Sequence, residues 1–313
     1  MTRVAVFDCG TNSLRLLIAD LDAPSGEMTE IVREMRIVRL GEGVDRTGRI
    51  TEESMARTFA ALDEYADLVT RHRPARIRFC ATSAARDATN AAEFMTGVEQ
   101  RVGVVPEVLD GDAEARASFA GAIRVLGDVA DPVLVLDIGG GSTELILGTT
   151  AQGVQVAQSL DIGSVRLTER HLHDDPPTHA QVADLCADVD AALDDCRVDP
   201  SVARTVVGVA GSVTTVAAAA LRLPAYDRDR IHLARLEVET VHAAVSDLVE
   251  MTVAQRRALG FMHPGRADVI AAGALILDRV LRRAAVPQLV VSESDILDGL
   301  AWSLMSAEGS HDG

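Results

Sequence analysis

The feature that most constrains this chain is a stretch of sequence that occurs twice. Residues Val6–Ile18 align without a gap with Val135–Leu147, and valine, aspartate, glycine, serine and leucine recur at the same five places. Each copy reads as an apolar strand, a turn of small residues and a second apolar strand, which is the pattern of a β-hairpin. The repeat therefore predicts two similar domains that each open with such a hairpin and face each other across a cleft.

The remainder of the chain fits a duplicated α/β protein. Its 313 residues suit one large or two medium-sized domains, and a hydrophobic content of 48% supports a full core. Strand-like runs alternate with segments of helical spacing in both halves, which predicts mixed sheets flanked by helices. We expect Thr51 to N-cap one of these helices. The polar hinge Asp128–Pro132 predicts domains at 1–127 and 128–305, followed by a disordered tail at 306–313.

Charge and composition exclude several classes of function. The net charge of −17 argues against a nucleic-acid-binding protein, and all 30 basic residues are arginine, so any side-chain cation on an anionic ligand must be a guanidinium. The longest apolar run, Val269–Leu277, is far short of the ~20 residues of a membrane span. Without a signal peptide or a C-x-x-C pair, we expect a cytoplasmic protein in which Cys9 and Cys80 are buried.

The second hairpin combines two carboxylates with a glycine-rich turn. Asp137 ends the incoming strand and Glu144 starts the outgoing one, which places them near each other. Oxygen ligands of this kind suit Mg²⁺, or Mn²⁺ in its place. Glycines permit a positive φ and backbone N–H groups that point outward, and a serine adds a hydroxyl donor. The candidate phosphate ligands of this tip are Gly139, Gly140, Gly141 and Ser142. A plain hairpin turn with solvated acids is the alternative interpretation.

The first hairpin is related to the second but not equivalent to it. Arg15 stands where Glu144 stands in the second copy. We interpret Asp8 as a ligand of metal or water and Arg15 as a candidate phosphate ligand. The remaining phosphate-binding candidates are the donors of the turn, Thr11, Asn12 and Ser13. One tip would then be rich in donors and the other in carboxylates.

These residues carry a resemblance to known proteins. A strand–Asp–Gly–turn hairpin used twice resembles the fold shared by sugar kinases, Hsp70 and actin. Within that fold, the chain resembles the exopolyphosphatase/guanosine pentaphosphate phosphatase (Ppx/GppA) family over residues 1 to about 300. Further segments match motifs of that family in its order: Ala81–Arg86, Gly111–Arg116, Asp161–Thr168, Gly208–Thr215 and Pro264–Ile270.

The resemblance implies a Mg²⁺-dependent exopolyphosphatase whose active site lies in the interdomain cleft. Glu114 would be the catalytic base, and Asp137 and Glu144 would bind the metal or orient the attacking water. Arg86 would hold the terminal phosphoryl group together with the second tip. Two further arginines in family motifs would contact the remaining phosphates, Arg166 and Arg266. The family also implies a homodimer, and related folds imply that the helix at about 295–306 packs back on the first domain.

Several alternatives share the same machinery. The chain could instead hydrolyse the 5′-phosphate of guanosine pentaphosphate, which would connect it to the stringent response. It could transfer phosphate to a nucleotide, or act as a catalytically weak sensor of polyphosphate or nucleotide. Two departures from the family also matter. Ser292–Gly299 lacks the arginine that many members carry, and the C-terminal helical domain of long members is missing, which predicts a preference for short chains.

Overall fold

The structure is a computed structural model that describes residues 1–306, and they form two compact units. The first unit comprises the chain up to Gly121 together with the helix from Ile296, and the second comprises Ala122–Asp295. The division falls in the last turns of a helix, and the polar hinge Asp128–Pro132 lies inside the second unit. Ser306 ends the last helix, and the remainder of the predicted tail lies outside the described residues.

The two halves of the chain begin with the same succession of three strands, two helices and a fourth strand, and the second half then contains additional elements. In chain order the first half contains β1 (Thr2–Cys9), β2 (Ser13–Asp22), β3 (Glu27–Ile37), α1 (Val44–Thr47), α2 (Glu52–His72), β4 (Arg76–Ala81), α3 (Ser83–Asp87), α4 (Ala91–Val102), β5 (Glu107–Val108) and α5 (Gly111–Ile123). The second half contains β6 (Val133–Ile138), β7 (Thr143–Thr149), β8 (Gly153–Leu160), α6 (Ser164–His171), α7 (His179–Asp194), a 3₁₀ turn (Pro200–Val202), β9 (Thr205–Val209), α8 (Ala210–Ala220), α9 (Arg228–Ile231), β10 (Arg235–Glu237), α10 (Val238–Glu250), α11 (Val253–Arg257), α12 (Ile270–Ala284), β11 (Gln288–Val291) and finally α13 (Ile296–Ser306).

The sheet of the first unit has the order β3-β2-β1-β4-β5. Strands β1 and β2 pair antiparallel, whereas β1, β4 and β5 run parallel, so the sheet is mixed. Helices α2 and α4 contribute to the core on one face of the sheet. On the other face, α13 packs its apolar residues against β1 and β2. Because the three parallel strands end at one edge, the loops that follow them lie together there.

The sheet of the second unit repeats this order with one strand more. Read from the hairpin edge, its order is β8-β7-β6-β9-β11-β10. Here β6 and β7 pair antiparallel, and β6, β9 and β11 run parallel. Helix α12 is almost wholly buried, since it contributes a continuous set of alanine, leucine and isoleucine side chains to this core. The prediction of two duplicated α/β domains with mixed sheets flanked by helices is confirmed at this level.

A local sequence signal explains where α2 begins. The Thr51 hydroxyl accepts a hydrogen bond from Ser54 N–H at 3.1 Å, which confirms it as the N-cap of α2. Cys9 and Cys80 are fully buried, as predicted.

Across the part of the chain that the structure describes, no helix combines the length and apolarity that crossing a bilayer demands.

Candidate functional site

The tip of the second hairpin is held through its carbonyl groups. Gly139 N–H donates to the Ser142 carbonyl at 3.0 Å and closes the turn. The first turn of α6 then binds the tip from behind. Ser164 N–H donates to the Gly139 carbonyl at 3.0 Å, and Val165 N–H donates to the Gly140 carbonyl at 2.8 Å. The carbonyl oxygens of the turn are therefore occupied by protein donors.

The tip of the first hairpin is held in the same way. Gly10 N–H donates to the Ser13 carbonyl at 3.0 Å. The segment after β3 returns to the tip, where Val38 N–H donates to the Asn12 carbonyl at 3.0 Å and Gly41 N–H donates to the Thr11 carbonyl at 2.9 Å. Both halves thus use the residues that follow the third strand to fix the hairpin turn.

Both tips have backbone N–H groups that are available to a ligand. Within residues 1–306, the N–H groups of Gly140, Gly141 and Ser142 donate to no protein acceptor, and neither do those of Thr11 and Asn12. Adjacent N–H groups of this kind form a site for an anion, because each gains a charge-assisted hydrogen bond when phosphate oxygen approaches. The predicted phosphate-binding role of both turns is chemically consistent with this geometry.

The glycines achieve this through close packing rather than through an unusual backbone. Gly139 does not adopt the left-handed φ that glycine permits. The tight approach comes from Gly163 and Gly41, which sequence reasoning missed. A Cβ on Gly163 would lie 2.5 Å from the Gly140 carbonyl carbon, and one on Gly41 would lie 3.1 Å from Thr11 Cβ. An apolar residue followed by glycine, just after the third strand of each half, was the signal that could have revealed them.

The two carboxylates of the second hairpin lie side by side. Asp137 and Glu144 are cross-strand partners on β6 and β7, and both are buried, with relative exposures of 7% and 1%. Ser159 on β8 donates its hydroxyl to Glu144 Oε1 at 2.7 Å. Cross-strand partners project to the same face of a sheet, and two neighbouring carboxylates repel each other unless a cation lies close.

This donor set fits a hard divalent cation. Mg²⁺ is usually bound through one or two carboxylates, with waters and substrate phosphates completing its shell. Over the described residues, no group of three or more His, Cys, Asp or Glu side chains is arranged to hold a metal ion. Asp137 and Glu144 could therefore hold Mg²⁺ as a pair, and the predicted role of Asp8 as a further metal ligand stays a prediction.

Asp8 and Arg15 form an ion pair across the first hairpin. They are cross-strand partners, and the guanidinium donates to Asp8 Oδ2 from Nη2 at 2.6 Å and from Nε at 2.9 Å. This pair bears on two predictions. The Asp8 carboxylate binds a guanidinium of the protein itself, and the predicted roles of Asp8 as a metal ligand and of Arg15 as a phosphate ligand stay predictions. The two residues are directly opposite each other on paired strands, where side chains of opposite charge lie close enough to bind each other.

Glu114 and Arg86 also form an ion pair. Arg86 Nη1 donates to Glu114 Oε2 at 3.0 Å and to the Leu109 carbonyl at 3.0 Å. Glu114 lies in the first turn of α5 and is 8% exposed. Asp110 Oδ1 accepts a hydrogen bond from Ala113 N–H at 2.8 Å and so caps this helix. The sequence had placed Arg86 and Glu114 in separate roles, whereas the structure brings them together.

Helix α3 connects this ion pair to the first tip. Ser83 and Thr11 share a hydrogen bond between their hydroxyl groups at 2.8 Å, and Thr82 N–H donates to the Cys9 carbonyl at 3.1 Å. Arg86 lies one turn further along the same helix. The ends of β1, β4 and β5 therefore bring a donor-rich turn, a guanidinium and a buried carboxylate to one edge of the first sheet. Ser83 belongs to a motif that we had recognised, but its role had not been inferred.

The two remaining arginines lie against backbone of the second unit. Arg166 Nε donates to the Gly141 carbonyl at 2.6 Å, so this side chain braces the second tip. Arg266 lies over Gly211 at the start of α8, where a Cβ would come within 2.7 Å of its Nε. Arginine has five N–H donors, so both side chains can bind a phosphate oxygen as well. Their predicted role as phosphate ligands stays a prediction.

Nearby titratable groups are mostly neutral. Burial, reinforced by the Asp8 carboxylate, raises the pKa of the Cys9 thiol, and burial raises the pKa of Cys80 to about 12. Desolvation, with the positive charge of Arg266 as a second cause, lowers the pKa of His263 below its ordinary value. At neutral pH these groups add no charge, and the carboxylates and guanidinium groups alone set the local field.

Comparison with known proteins gives a consistent result. Residues 17–308 match the model of the Ppx/GppA phosphatase family. Exopolyphosphatase 2 of Mycobacterium tuberculosis is 48% identical over 97% of this chain and 99% of its own length. A crystal structure of an exopolyphosphatase-like protein superposes with a TM-score of 0.93 at 42% identity, covering 98% of this chain and 99% of that one. A Ppx/GppA family member from Aquifex aeolicus superposes with a TM-score of 0.83 at 32% identity, over 98% and 99% of the two chains. These structures confirm the predicted actin-like fold.

Proposed function

The chain belongs to the Ppx/GppA phosphatase family, and from that premise we propose that it is an exopolyphosphatase. It would hydrolyse the terminal phosphate of inorganic polyphosphate and release orthophosphate. The observation that carries the proposal is the partly buried Arg86–Glu114 pair, joined through α3 to a tip whose N–H groups are available to an anion. The 48% identity to an exopolyphosphatase supports the choice of substrate.

Glu114 is the proposed general base. A water oxygen forms a bond to the terminal phosphorus while the bridging P–O bond breaks, and its electron pair stays on the shortened chain. The proton of the water passes to Glu114. Arg86 orients this carboxylate through its hydrogen bond, and its other N–H groups can bind the phosphoryl oxygens. A base of this kind contributes about 10²- to 10⁴-fold to the rate.

The phosphoryl group needs donors that are already in place. Phosphoryl transfer spreads charge over the equatorial oxygens, and fixed N–H groups stabilise that charge without reorganisation. We assign this role to the tip of the first hairpin, which belongs to the same unit as Arg86 and Glu114 and is held from behind by the segment after β3. The tip of the second hairpin has N–H groups of the same kind, and its phosphate-binding role stays a prediction. Asp137 and Glu144 would hold Mg²⁺, which when bound offsets the repulsion between an acidic protein and a polyanion.

Guanosine pentaphosphate is the second candidate substrate. Its 5′ end carries the same terminal phosphoanhydride, and the family name includes phosphatases of this type. The groups described above recognise phosphate and not guanine, so polyphosphate is the proposal and the nucleotide is an arm of the test. A homodimer stays a prediction from the family, and analytical ultracentrifugation would test it.

The test measures phosphate release by the purified full chain from tripolyphosphate, long polyphosphate and guanosine pentaphosphate in the presence of Mg²⁺. Glu114→Gln keeps the side-chain volume and removes the base, so we expect kcat to fall by at least about 10²-fold. Glu107→Gln is the matched control. Glu107 also pairs with an arginine, Arg78 at 2.8 Å, but on the exposed edge strand β5. Its replacement should leave kcat within about twofold of the wild type.

Each outcome separates the candidates. Release from the inorganic substrates, lost in Glu114→Gln and kept in Glu107→Gln, supports the proposal. Release from guanosine pentaphosphate alone would replace it with the nucleotide phosphatase. Tight binding of polyphosphate without turnover would identify a sensor, and full activity in Glu114→Gln would show that another group is the base.

A further inference from the structure

Helix α13 touches α5 at a point where only glycine fits. A Cβ on Gly299 would overlap the Ala117 carbonyl oxygen and would lie 2.8 Å from the Ala117 carbonyl carbon. Atoms this close must shift, and the atoms in question are helix backbone rather than the end of a flexible side chain. The approach therefore depends on the missing side chain at residue 299.

Several contacts prevent α13 from moving aside. Near its start, Asp298 is 3% exposed and accepts a hydrogen bond from Arg33 on β3 at 2.8 Å. Near its end, Arg76 donates to the Leu304 carbonyl and Arg78 donates to the Ser303 hydroxyl at 2.7 Å. The apolar face between these points packs against β1 and β2. A methyl group added at residue 299 would overlap the backbone of α5. Because α13 is held along its length, we expect α5 to move and so remove the overlap.

Helix α5 carries the proposed base one turn before this contact. Glu114 and Ala117 are three residues apart, and such residues lie on neighbouring positions of a helix surface. The position of Glu114 relative to Arg86 depends on where the first turns of α5 lie. The Arg86–Glu114 distance of 3.0 Å leaves little room for a shift before the hydrogen bond is lost.

We propose that Gly299 is a positioning residue for the hydrolytic reaction. By allowing α13 to lie directly on the backbone of α5, it sets the location of Glu114 beside Arg86. The inference rests on the proposed function, since it concerns the placement of the proposed base. The proposal also assigns a function to the end of the Ser292–Gly299 segment. The missing arginine of this segment is evident in the sequence, but the sequence predicts no function for the segment.

The test compares Gly299→Ala with Gly97→Ala. Gly97 lies on α4 of the same unit, where a Cβ would overlap the Phe59 ring and lie 2.8 Å from its Cε1 atom, so this control also adds one methyl to a tight helix contact. Misplacing a catalytic group by about 1 Å can cost about 10²-fold in rate. We expect kcat of Gly299→Ala on tripolyphosphate to fall by about tenfold or more, with KM within about twofold. Gly97→Ala should keep kcat near the wild-type value.

A second variant guards against misfolding of Gly299→Ala. Asp298→Asn weakens the bond to Arg33 without adding volume, and we expect a smaller fall in kcat, again with KM unchanged. If kcat in Gly299→Ala and Asp298→Asn stays as high as in Gly97→Ala, the positioning role is wrong. That result would leave the proposed function intact, because its own test is the loss of activity in Glu114→Gln. Full activity in Glu114→Gln would instead refute the base assignment, whatever Gly299→Ala does.

Discussion

The two hairpin tips have the same backbone and opposite electrostatics. In each, the first glycine donates to the serine three residues on, at 3.0 Å, and the segment after the third strand holds the remaining carbonyl groups. At the cross-strand position beside the aspartate, one hairpin has Arg15 and the other has Glu144. The first aspartate is therefore neutralised by the protein, whereas the second lies beside another carboxylate.

This difference shows how a duplicated scaffold supports two roles. In both units the backbone of the hairpin turn has N–H groups that donate to no acceptor within residues 1–306, and that property does not depend on the side chain at residue 15 or 144. The side chain at this position decides whether the strand end is an internal ion pair or a candidate cation site. One exchange between arginine and glutamate is enough to change the chemistry, since the residues lie on the same face of paired strands.

The largest effect should come from breaking the ion pair of the first hairpin. In Arg15→Met the buried Asp8 carboxylate loses its cation, and breaking a buried pair on one side costs about 3–5 kcal/mol. Urea unfolding should show this loss of stability. Hydrogen exchange should show faster opening of β1 and β2.

The matched variant at the other tip is Glu144→Gln. It keeps the shape and can keep the hydrogen bond from Ser159, so we expect a loss of stability below about 1.5 kcal/mol, the size of one neutral hydrogen bond. Its activity should fall, because one of the two candidate Mg²⁺ ligands is gone. Equal losses of stability in Arg15→Met and Glu144→Gln would contradict the view that the two positions serve different purposes.

An intermediate effect should come from the glycines that fix each tip. Gly163→Ala would force a methyl group into the backbone of Gly140, whereas Gly41→Ala would meet the side chains of Thr11 and Ala84. Overpacking costs about 1–3 kcal/mol, and backbone yields less easily than a side chain. We expect Gly163→Ala to lose more stability and more phosphate release than Gly41→Ala. If Gly41→Ala instead lost more thermal stability and more kcat than Gly163→Ala, the backbone of the second tip would be the one that accommodates an added methyl group more easily.

The smallest effect concerns the far end of the first hairpin. Arg3 holds Asp20 through a hydrogen bond at 2.8 Å, and this lowers the pKa of Asp20 below 3.8. The pair therefore adds stability that is fully present above pH 3.8 and is lost as the pH falls through the lowered value. The corresponding residues of the second hairpin are Pro132 and Thr149, so this contribution is confined to the first.

Asp20→Asn should reduce the fall in the urea midpoint between pH 5 and pH 3. Since the pair is partly exposed, we expect only a small shift. Asp22→Asn provides the comparison, because it removes a carboxylate of the same strand that is bonded to Ser25. An identical pH response in wild type and Asp20→Asn would mean that the Arg3–Asp20 pair does not contribute.

Much of the fold was legible in the sequence because it is encoded locally. The repeated hairpin, the N-cap at Thr51 and the alternation of strands and helices depend on neighbouring residues. The cross-strand relation of Asp137 and Glu144 also followed from the turn between them. The ion pair of Asp8 and Arg15 was not predicted, because a pattern of residue types does not reveal that two opposite charges on paired strands bind each other.

The remainder of the site depends on residues that are far apart in the chain. The Arg86–Glu114 pair, the packing of Gly163 on Gly140 and the contact of Gly299 with Ala117 each join separate elements. Nothing in the local sequence distinguishes these partners from others of the same type. Their selection follows from the order of strands in the sheet and from the close packing of helices upon it.

The sequence by itself determined the duplication, the fold class, the family and the residue types at the two tips, since each is a pattern within a short window. Only the tertiary structure decided which charges neutralise each other, which N–H groups stay available and which glycines are required by contact. The physical reason is that hydrogen bonds and steric overlap act over about 3–4 Å. The repeated hairpin therefore has two different tips, because β2 places Arg15 opposite Asp8 and β7 places Glu144 opposite Asp137.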